Sequence, residues 1–327
     1  MDHMLQTIER FIQQHYLISP EQTIVIGLSG GPDSIFLLHY LKQWQKKYKL
    51  TLIAAHLNHA WRPEAADDAR FCQKAADALG IPFVSQTIAE LDITIKDNGS
   101  KEAMGRTARR HFLEKVADRY EADTIALAHH KDDQEETFFI RLLRGASLTG
   151  LCGMWPQHGR YIRPLLPVSK EAILQWLNEH NIAYLQDPTN ADDSFLRNRI
   201  RNHLMPLLRT IDDRADQNIT KAIGHLQQAD QLLAKLATYT FDQLAALDAD
   251  TNTYGIDIAP FLHLDSAMQY RVLVHWLSKQ KVPFPVSQGF FDEVIRFCKH
   301  ACCSKEHAIH QHWTLKTKEN RLYIIEQ

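Results

Sequence analysis

The densest run of reactive residue types is Ser29-Gly30-Gly31-Pro32-Asp33-Ser34. Adjacent glycines let backbone N–H groups approach an anion with no Cβ in the way, two hydroxyls add donors, and a helix starting just beyond would bring the positive end of its dipole to the same point. That is a cradle for phosphate or pyrophosphate. It lacks the Gly-Lys-Ser/Thr ending of a Walker A loop, so no lysine of its own reaches between β and γ phosphates, and a P-loop NTPase is excluded. The second group is His129-His130-Lys131-Asp132-Asp133-Gln134-Glu135-Glu136-Thr137. On a helix Asp133 and Glu136, three apart, share a face that could receive an ammonium group or support Mg²⁺; the same acids could equally complement a helix dipole. His129 and His130 diverge at a strand end and no third ligand is suggested, which argues against zinc. Basic residues cluster at Arg106, Arg109 and Arg110 and at Arg197, Arg199, Arg201, Arg209 and Arg214. By charge alone each cluster reads as a solvated helix face.

For the two groups to meet, the chain must bring both to one edge of a sheet. Residues 23–28 are short, apolar and β-branched, the pattern of a strand covered on both faces, and the glycine-rich run follows at once. The strand signal returns at 51–57, 82–88 and 124–128, with helical spacing at 65–79, 101–120 and 133–143; a strand at 161–166 and a helix capped by Ser169 add one more unit. This alternation predicts an α/β fold with a doubly wound, mostly parallel sheet, whose ligands bind beyond the C-terminal strand ends. After Asp187-Pro188-Thr189-Asn190 helical spacing takes over through Leu204, Ile219, Ile223, Leu226, Leu232 and Leu236 and runs to about Cys298, with a terminal hairpin over 313–317 and 321–325. The expected organisation is a catalytic domain over 1–214, then a long connecting helix and a mainly helical domain over 215–327.

A length of 327 residues favours two domains, and 45% apolar with 23% charged residues is an ordinary globular composition. With 37 Lys+Arg against 39 Asp+Glu the net charge is -2, so any nucleic-acid binding must rest on local patches. No stretch approaches the ~18 apolar residues of a membrane span, and Met1-Asp2-His3-Met4 opens no secretion signal, so neither membrane nor export is expected. Five cysteines, Cys72, Cys152, Cys298, Cys302 and Cys303, with no C-x-x-C pair, argue against a disulfide framework or a four-cysteine zinc site and suit a reducing cytoplasm.

In its strand–loop–helix setting the Ser29-to-Ser34 hexamer resembles the PP-loop, or N-type, ATP pyrophosphatase superfamily, whose S-G-G-x-D-S loop grips pyrophosphate while an acceptor oxygen attacks the α-phosphate. The resemblance implies ATP as co-substrate with Mg²⁺, adenylation of a substrate, and AMP and pyrophosphate as products. Within that superfamily the order of motifs is similar to the tRNA(Ile)-lysidine synthetase family over roughly residues 20–210. The matching motifs are the loop, His56-Leu57-Asn58-His59 with Arg62, Glu102 with Arg106 and Arg109, the block at 129–137, and Arg141 to Gly145. They continue with Arg163-Pro164-Leu165-Leu166, Asp187 with Thr189-Asn190, and Arg197-Asn198-Arg199-Ile200-Arg201.

The family's reaction implies that C2 of the cytosine in the first anticodon position of tRNA(Ile), anticodon CAU, is adenylated and then joined to the ε-amino group of free L-lysine, so that the codon read changes from AUG to AUA. Carried over to this chain, Ser29, Gly30, Gly31, Pro32, Asp33, Ser34 and His56 would hold ATP, with Asp33 also on Mg²⁺. Asp133, Glu136 and Arg109 would hold lysine, Asp133 accepting its proton, since an ammonium near pKa 10.4 is almost wholly protonated at pH 7. Asp33, Asp133 and Arg106 form the expected catalytic set. Arg106 and Arg109 suit either phosphates or the lysine carboxylate. Arg197, Arg199 and Arg201 would contact tRNA, helped by the helical domain, and Trp61 or Trp155 either stacks on the splayed cytosine or packs.

The length is expected to leave room for that helical domain and for little of the further C-terminal domain some members carry. Ala60 stands where the resemblance expects glycine and Arg110 where it expects tyrosine. The oligomeric state is open, a homodimer being among the expected forms. The nearest rival is a PP-loop tRNA 2-thiolase, which would need a cysteine set this chain lacks at C-x-x-C spacing; a rival of another class is a nucleotide- or RNA-binding module without catalysis.

Overall fold

Central strand β1 (Thr23–Gly27) buries Ile24, Val25 and Ile26 completely, roughly 1.5–3 kcal/mol each. Such burial requires cover on both faces. The side chains alternate, as a strand demands: Ile24 and Ile26 join one apolar cluster, Val25 the other. The structure, a computed structural model, describes residues 2–61, 65–93, 101–186, 193–248, 253–283, 286–300, 305–310 and 312–326. Chain contacts divide it into two units, Met1–Gly224 and His225–Gln327.

In the first unit α1 (Asp2–Gln14), β1, α2 (Pro32–Tyr48), β2 (Thr51–Asn58), α3 (Ala65–Ala78), β3 (Phe83–Thr87), α4 (Lys101–Arg119) and β4 (Thr124–Ala126) follow one another. Then come α5 (Lys131–Leu143), α6 (Leu148–Leu151), β5 (Gln157–His158), β6 (Tyr161–Ile162), α7 (Lys170–Glu179), α8 (Leu196–Arg199), a π-helical turn (Ile200–Leu204) and α9 (Met205–Ile211). The six strands lie in the order β3-β2-β1-β4-β6-β5, all parallel except β5. Helices α1, α2 and α7 cover one face through Ile8, Ile12, Phe36, Leu37 and Trp176; α4 covers the other through Ala108, Phe112, Leu113 and Val116. Chain order reverses between β1 and β4, so the loops leaving their C-terminal ends open a crevice, the usual ligand position in such sheets.

Helix α10 (Ala215–Leu244) starts where the sequence places the domain division, yet chain contacts divide ten residues later, inside the helix. Its first turns still bond to the first unit, where Thr220 Oγ1 donates to Glu135 Oε1 at 3.4 Å. The second unit contains α11 (Ile258–His263), α12 (Ser266–Lys279) and α13 (Gln288–Lys299), packed through Phe261, Trp276, Phe291 and Val294. It also contains a five-stranded sheet, β7 (Ala245–Asp248), β8 (Thr253–Asp257), β9 (Glu306–His310), β10 (Trp313–Lys318) and β11 (Arg321–Glu326), in the order β7-β8-β11-β10-β9. The expected hairpin is β10–β11, paired from Trp313↔Glu326 to Lys318↔Arg321. The other three strands are additions to the sequence reading; Glu-His-Ala-Ile-His and Ala-Ala-Leu-Asp are too short or too polar to announce themselves.

Candidate functional site

The loop after β1 is built by its own hydroxyls. Ser29 N donates to Ser34 Oγ at 3.1 Å, Ser34 Oγ donates to Gly31 O at 2.9 Å, and the two hydroxyl oxygens are 3.1 Å apart. Gly30 has φ +84°, and a Cβ there would sit 2.7 Å from Leu185 Cδ1, so both conformation and space require glycine. Pro32 fits the first turn of α2, where its missing N–H is not needed. Behind the loop lies His56, buried on β2, with Nδ1 2.9 Å from Leu28 O. Burial lowers its pKa, so the ring is neutral, Nδ1–H is the donor, and Nε2 is left as an acceptor. His56 thus braces the backbone just before Ser29.

Asp33 does not stand alone. Lys170 Nζ donates to both its oxygens, at 2.7 and 2.6 Å, and Lys170 N donates to Asp132 Oδ2 at 2.8 Å. Lys170 is the first residue of α7, whose N-cap Ser169 accepts from Ala172 N. The sequence reading found the cap and missed the lysine. A signal existed: a cation in the first turn opposes the helix dipole and needs a partner elsewhere.

His130, at the N-cap of α5, joins the two motifs. Its Nε2 lies 3.7 Å from Asp33 Oδ1 and 3.4 Å from Asp133 Oδ2, its Nδ1 is 3.4 Å from Asp132 Oδ2, and its backbone N donates to Asp133 Oδ2 at 3.0 Å. Burial works against the charged ring, but the three carboxylates outweigh it and raise the His130 pKa. Asp133 is pushed up by burial and pulled down further by His130 and Arg197, so it stays ionised. Neighbouring His129 is lowered to about 4 by burial, with Asp133 opposing, and is neutral at pH 7.

Asp133 and Glu136 share a face of α5, and that face is already paired. Arg197 Nε donates to Glu136 Oε2 at 2.7 Å and its Nη2 to Asp133 Oδ1 at 3.2 Å. Arg201 donates to Glu136 through Nε at 2.6 Å and Nη2 at 3.0 Å. Two of the three arginines expected on RNA therefore lie on the two carboxylates expected on lysine, two positive charges against two negative, while the third, Arg199, is exposed between them. On the next face of α5, buried Glu135 lies 3.7 Å from Lys131 and 4.0 Å from Arg209. Arg106 and Arg109 are exposed on α4; Arg109 Nη2 is 3.4 Å from His59 Nε2.

Both departures from the family pattern have a local reading. Ala60 takes φ +53°, the left-handed conformation glycine adopts freely, with its N–H donating to Asn58 Oδ1 at 2.8 Å. Arg110 pairs with Glu114 at 3.0 Å and lies over the Tyr161 ring at 5.4 Å. Arg62, Asp187, Thr189, Asn190, Cys302, Cys303 and the Glu102 side chain fall outside what is described. Among the described residues no three His, Cys, Asp or Glu side chains converge as a ready metal cage. A single carboxylate at the loop, Asp33, suits a Mg²⁺ brought in on phosphate oxygens, since Mg²⁺ keeps several waters and needs only one or two protein carboxylates. No helix of the described residues is long and apolar enough to cross a membrane.

A doubly wound sheet with an S-G-G-P-D-S loop at its switch point defines the class, and the PP-loop domain family matches residues 2–208: the chain belongs to that family, which implies use of ATP. More particularly, it is 31% identical over 306 residues to a tRNA(Ile)-lysidine synthase of Bacillus cereus, covering 91% of this chain and 64% of that one. The enzymes of the same name from Geobacter sulfurreducens and Bacillus subtilis are 37% and 34% identical, covering 72% and 82% of this chain and 50% and 57% of theirs. The chain thus spans about two thirds or less of the relatives it matches. Among solved structures, the U34-tRNA thiolase NcsA of Methanococcus maripaludis with its [4Fe-4S] cluster superposes with a TM-score of 0.60 over 69% of this chain and 78% of that one, at 18% identity, a likeness of fold.

Proposed function

We propose that the protein joins free L-lysine to C2 of the cytosine in the first anticodon position of tRNA(Ile), anticodon CAU, through an adenylated cytosine, releasing AMP and pyrophosphate. The observation that carries this reading is the His130 ring, which touches Asp33 of the phosphate loop and Asp133 of the carboxylate pair at once. Two half-reactions need two sites with one shared wall.

In the first step the cytosine O2 attacks the α-phosphate of ATP. Backbone N–H groups of the loop, with Ser29 and Ser34, take up charge developing on pyrophosphate, and Lys170 supplies the ammonium the loop itself lacks by exchanging Asp33 for phosphate oxygens. Mg²⁺ entering with ATP would be held through Asp33 and would neutralise phosphate charge. In the second step the lysine amine attacks C2 and AMP leaves. Asp133 and Glu136 hold the incoming ammonium, and Asp133, kept ionised, takes its proton. The two guanidinium groups now on those carboxylates mark the pair as a cation site; an ammonium enters as an arginine turns outward to the tRNA backbone, which would let Arg197 and Arg201 meet tRNA as expected although they lie on Asp133 and Glu136 here. Arg106 and Arg109, exposed on α4, would take substrate phosphate or carboxylate.

A thiolase reading draws less support. The described cysteines Cys72, Cys152 and Cys298 are buried, and burial pushes the Cys72 and Cys298 thiols up to about 12. The test uses the full chain with ATP, Mg²⁺, labelled lysine and a CAU tRNA(Ile) transcript, with Asp33→Ala and Asp133→Ala as controls. Lysine-dependent label on the tRNA, lost in both variants, is expected. AMP and pyrophosphate formed without lysine incorporation would leave adenylation standing and overturn the nucleophile.

A further inference from the structure

Beyond the loop and the carboxylate block, the turn after β2 presents an aromatic surface that neither proposed step uses. Trp61 is 53% exposed. Its indole lies on the His59 ring, centroids 4.6 Å apart and planes 29° apart. The turn is fixed by the left-handed Ala60 and its bond to Asn58. The neighbouring helix makes room: a Cβ on Gly105 of α4 would meet Trp61 Cη2 at 2.6 Å and His59 Cε1 at 3.3 Å. Glycine inside a helix is unfavourable relative to alanine, so its presence here keeps a place for the ring. One turn along α4, Arg109 contacts His59, and exposed Arg106 lies between them in sequence.

A rigid, backed, half-exposed indole with guanidinium groups beside it is the arrangement that binds single-stranded nucleic acid, with a base on the aromatic face and cations along the backbone. Small ligands are usually buried over most of their surface, which an indole this open does not provide, whereas an RNA loop brings its own cover. We propose that Trp61 is a stacking platform for an unpaired base flanking the target cytosine, with Arg109 and Arg106 on the adjoining phosphates. This rests on the RNA substrate proposed above, and it adds a residue that selects the splayed loop.

The test uses an anticodon stem-loop RNA carrying 2-aminopurine next to the target cytosine, with the full chain and its Trp61→Ala, Trp61→Phe and Gly105→Ala variants. Wild type should quench the 2-aminopurine on binding. Trp61→Ala should abolish the quench and weaken RNA binding about 10- to 100-fold, Trp61→Phe should restore most of both, and Gly105→Ala should lose the quench with Trp61 still present, by displacing the ring. ATP affinity, measured separately, should stay within about twofold for Trp61→Ala, as for a ring that meets only RNA. Equal RNA affinity and quench in wild type and Trp61→Ala would overturn the platform alone. A loss of ATP affinity with RNA binding intact would also overturn it, giving the ring to adenine. A wild-type protein that binds no such RNA would overturn the platform together with the reading beneath it.

Discussion

Replacing Glu136 by glutamine keeps the shape of the side chain and removes the charge that two arginines share. Glu136 is 1% exposed and accepts three guanidinium hydrogen bonds, at 2.6, 2.7 and 3.0 Å. In Glu136→Gln one oxygen remains as acceptor, and an NH₂ group faces the donors of Arg197 and Arg201. Breaking a buried ion pair from one side costs about 3–5 kcal/mol. Two features reduce that here: the arginine side chains are 27% and 37% exposed, so water can reach them, and Asp133 still lies 3.2 and 3.8 Å away. The expected loss is therefore about 2–4 kcal/mol, which at roughly 2–4 °C per kcal/mol for a unit of this size lowers the melting midpoint by roughly 4–16 °C. Calorimetry on the full chain measures it. Asp118→Asn, at the exposed pair with Arg160, is the reference and should shift the midpoint by no more than about 2 °C. A Glu136→Gln midpoint equal to that of Asp118→Asn would refute the reasoning, because the cluster would then bear no part of the unit's stability.

Two further outcomes follow from the same site. Burial pushes the Glu135 carboxyl up to about 7 from an ordinary 4.5, so its folded pKa exceeds its unfolded one; the stability it contributes is full below pH 4.5 and is lost as pH rises through 7. Melting curves across that range should fall for wild type and flatten for Glu135→Gln, and parallel profiles would remove Glu135 as the cause. Lys170→Gln should lower ATP-dependent pyrophosphate release by roughly 10²–10³-fold, with Lys170→Arg recovering part of it. Unchanged ATP kinetics would reduce Lys170 to a tether for Asp33.

What sequence alone made legible was local. The strand at 23–28, the phosphate loop and the shared helix face of Asp133 and Glu136 each follow from a short window of residue types, and the structure has β1, the loop and α5 in those places. Residues that act across the fold were harder. Arg197 and Arg201, four apart, announce a common face, but nothing near them in the chain says that it meets Glu136, 61 and 65 residues earlier. Gly105 shows the same limit: its reason is the Trp61 ring, brought in by a different strand. In the second unit, three short strands carry too few apolar residues to stand out against the helical pattern.

The strand order has a consequence in time. β1 pairs on one side with β2, which follows it closely, and on the other with β4, just before which Asp123 Oδ2 accepts a hydrogen bond from Thr23 N across 100 residues. A ribosome adding about 5–20 residues per second needs roughly 5–20 s to supply that partner. During that interval the nascent chain carries the phosphate loop with one edge of its strand open, and neither His130 nor Lys170 yet exists. Lys170 is 137 residues beyond Asp33. The growing chain therefore has no assembled site in which to use ATP, and the strand that will be central in the sheet, β1, keeps one edge unpaired until β4 arrives.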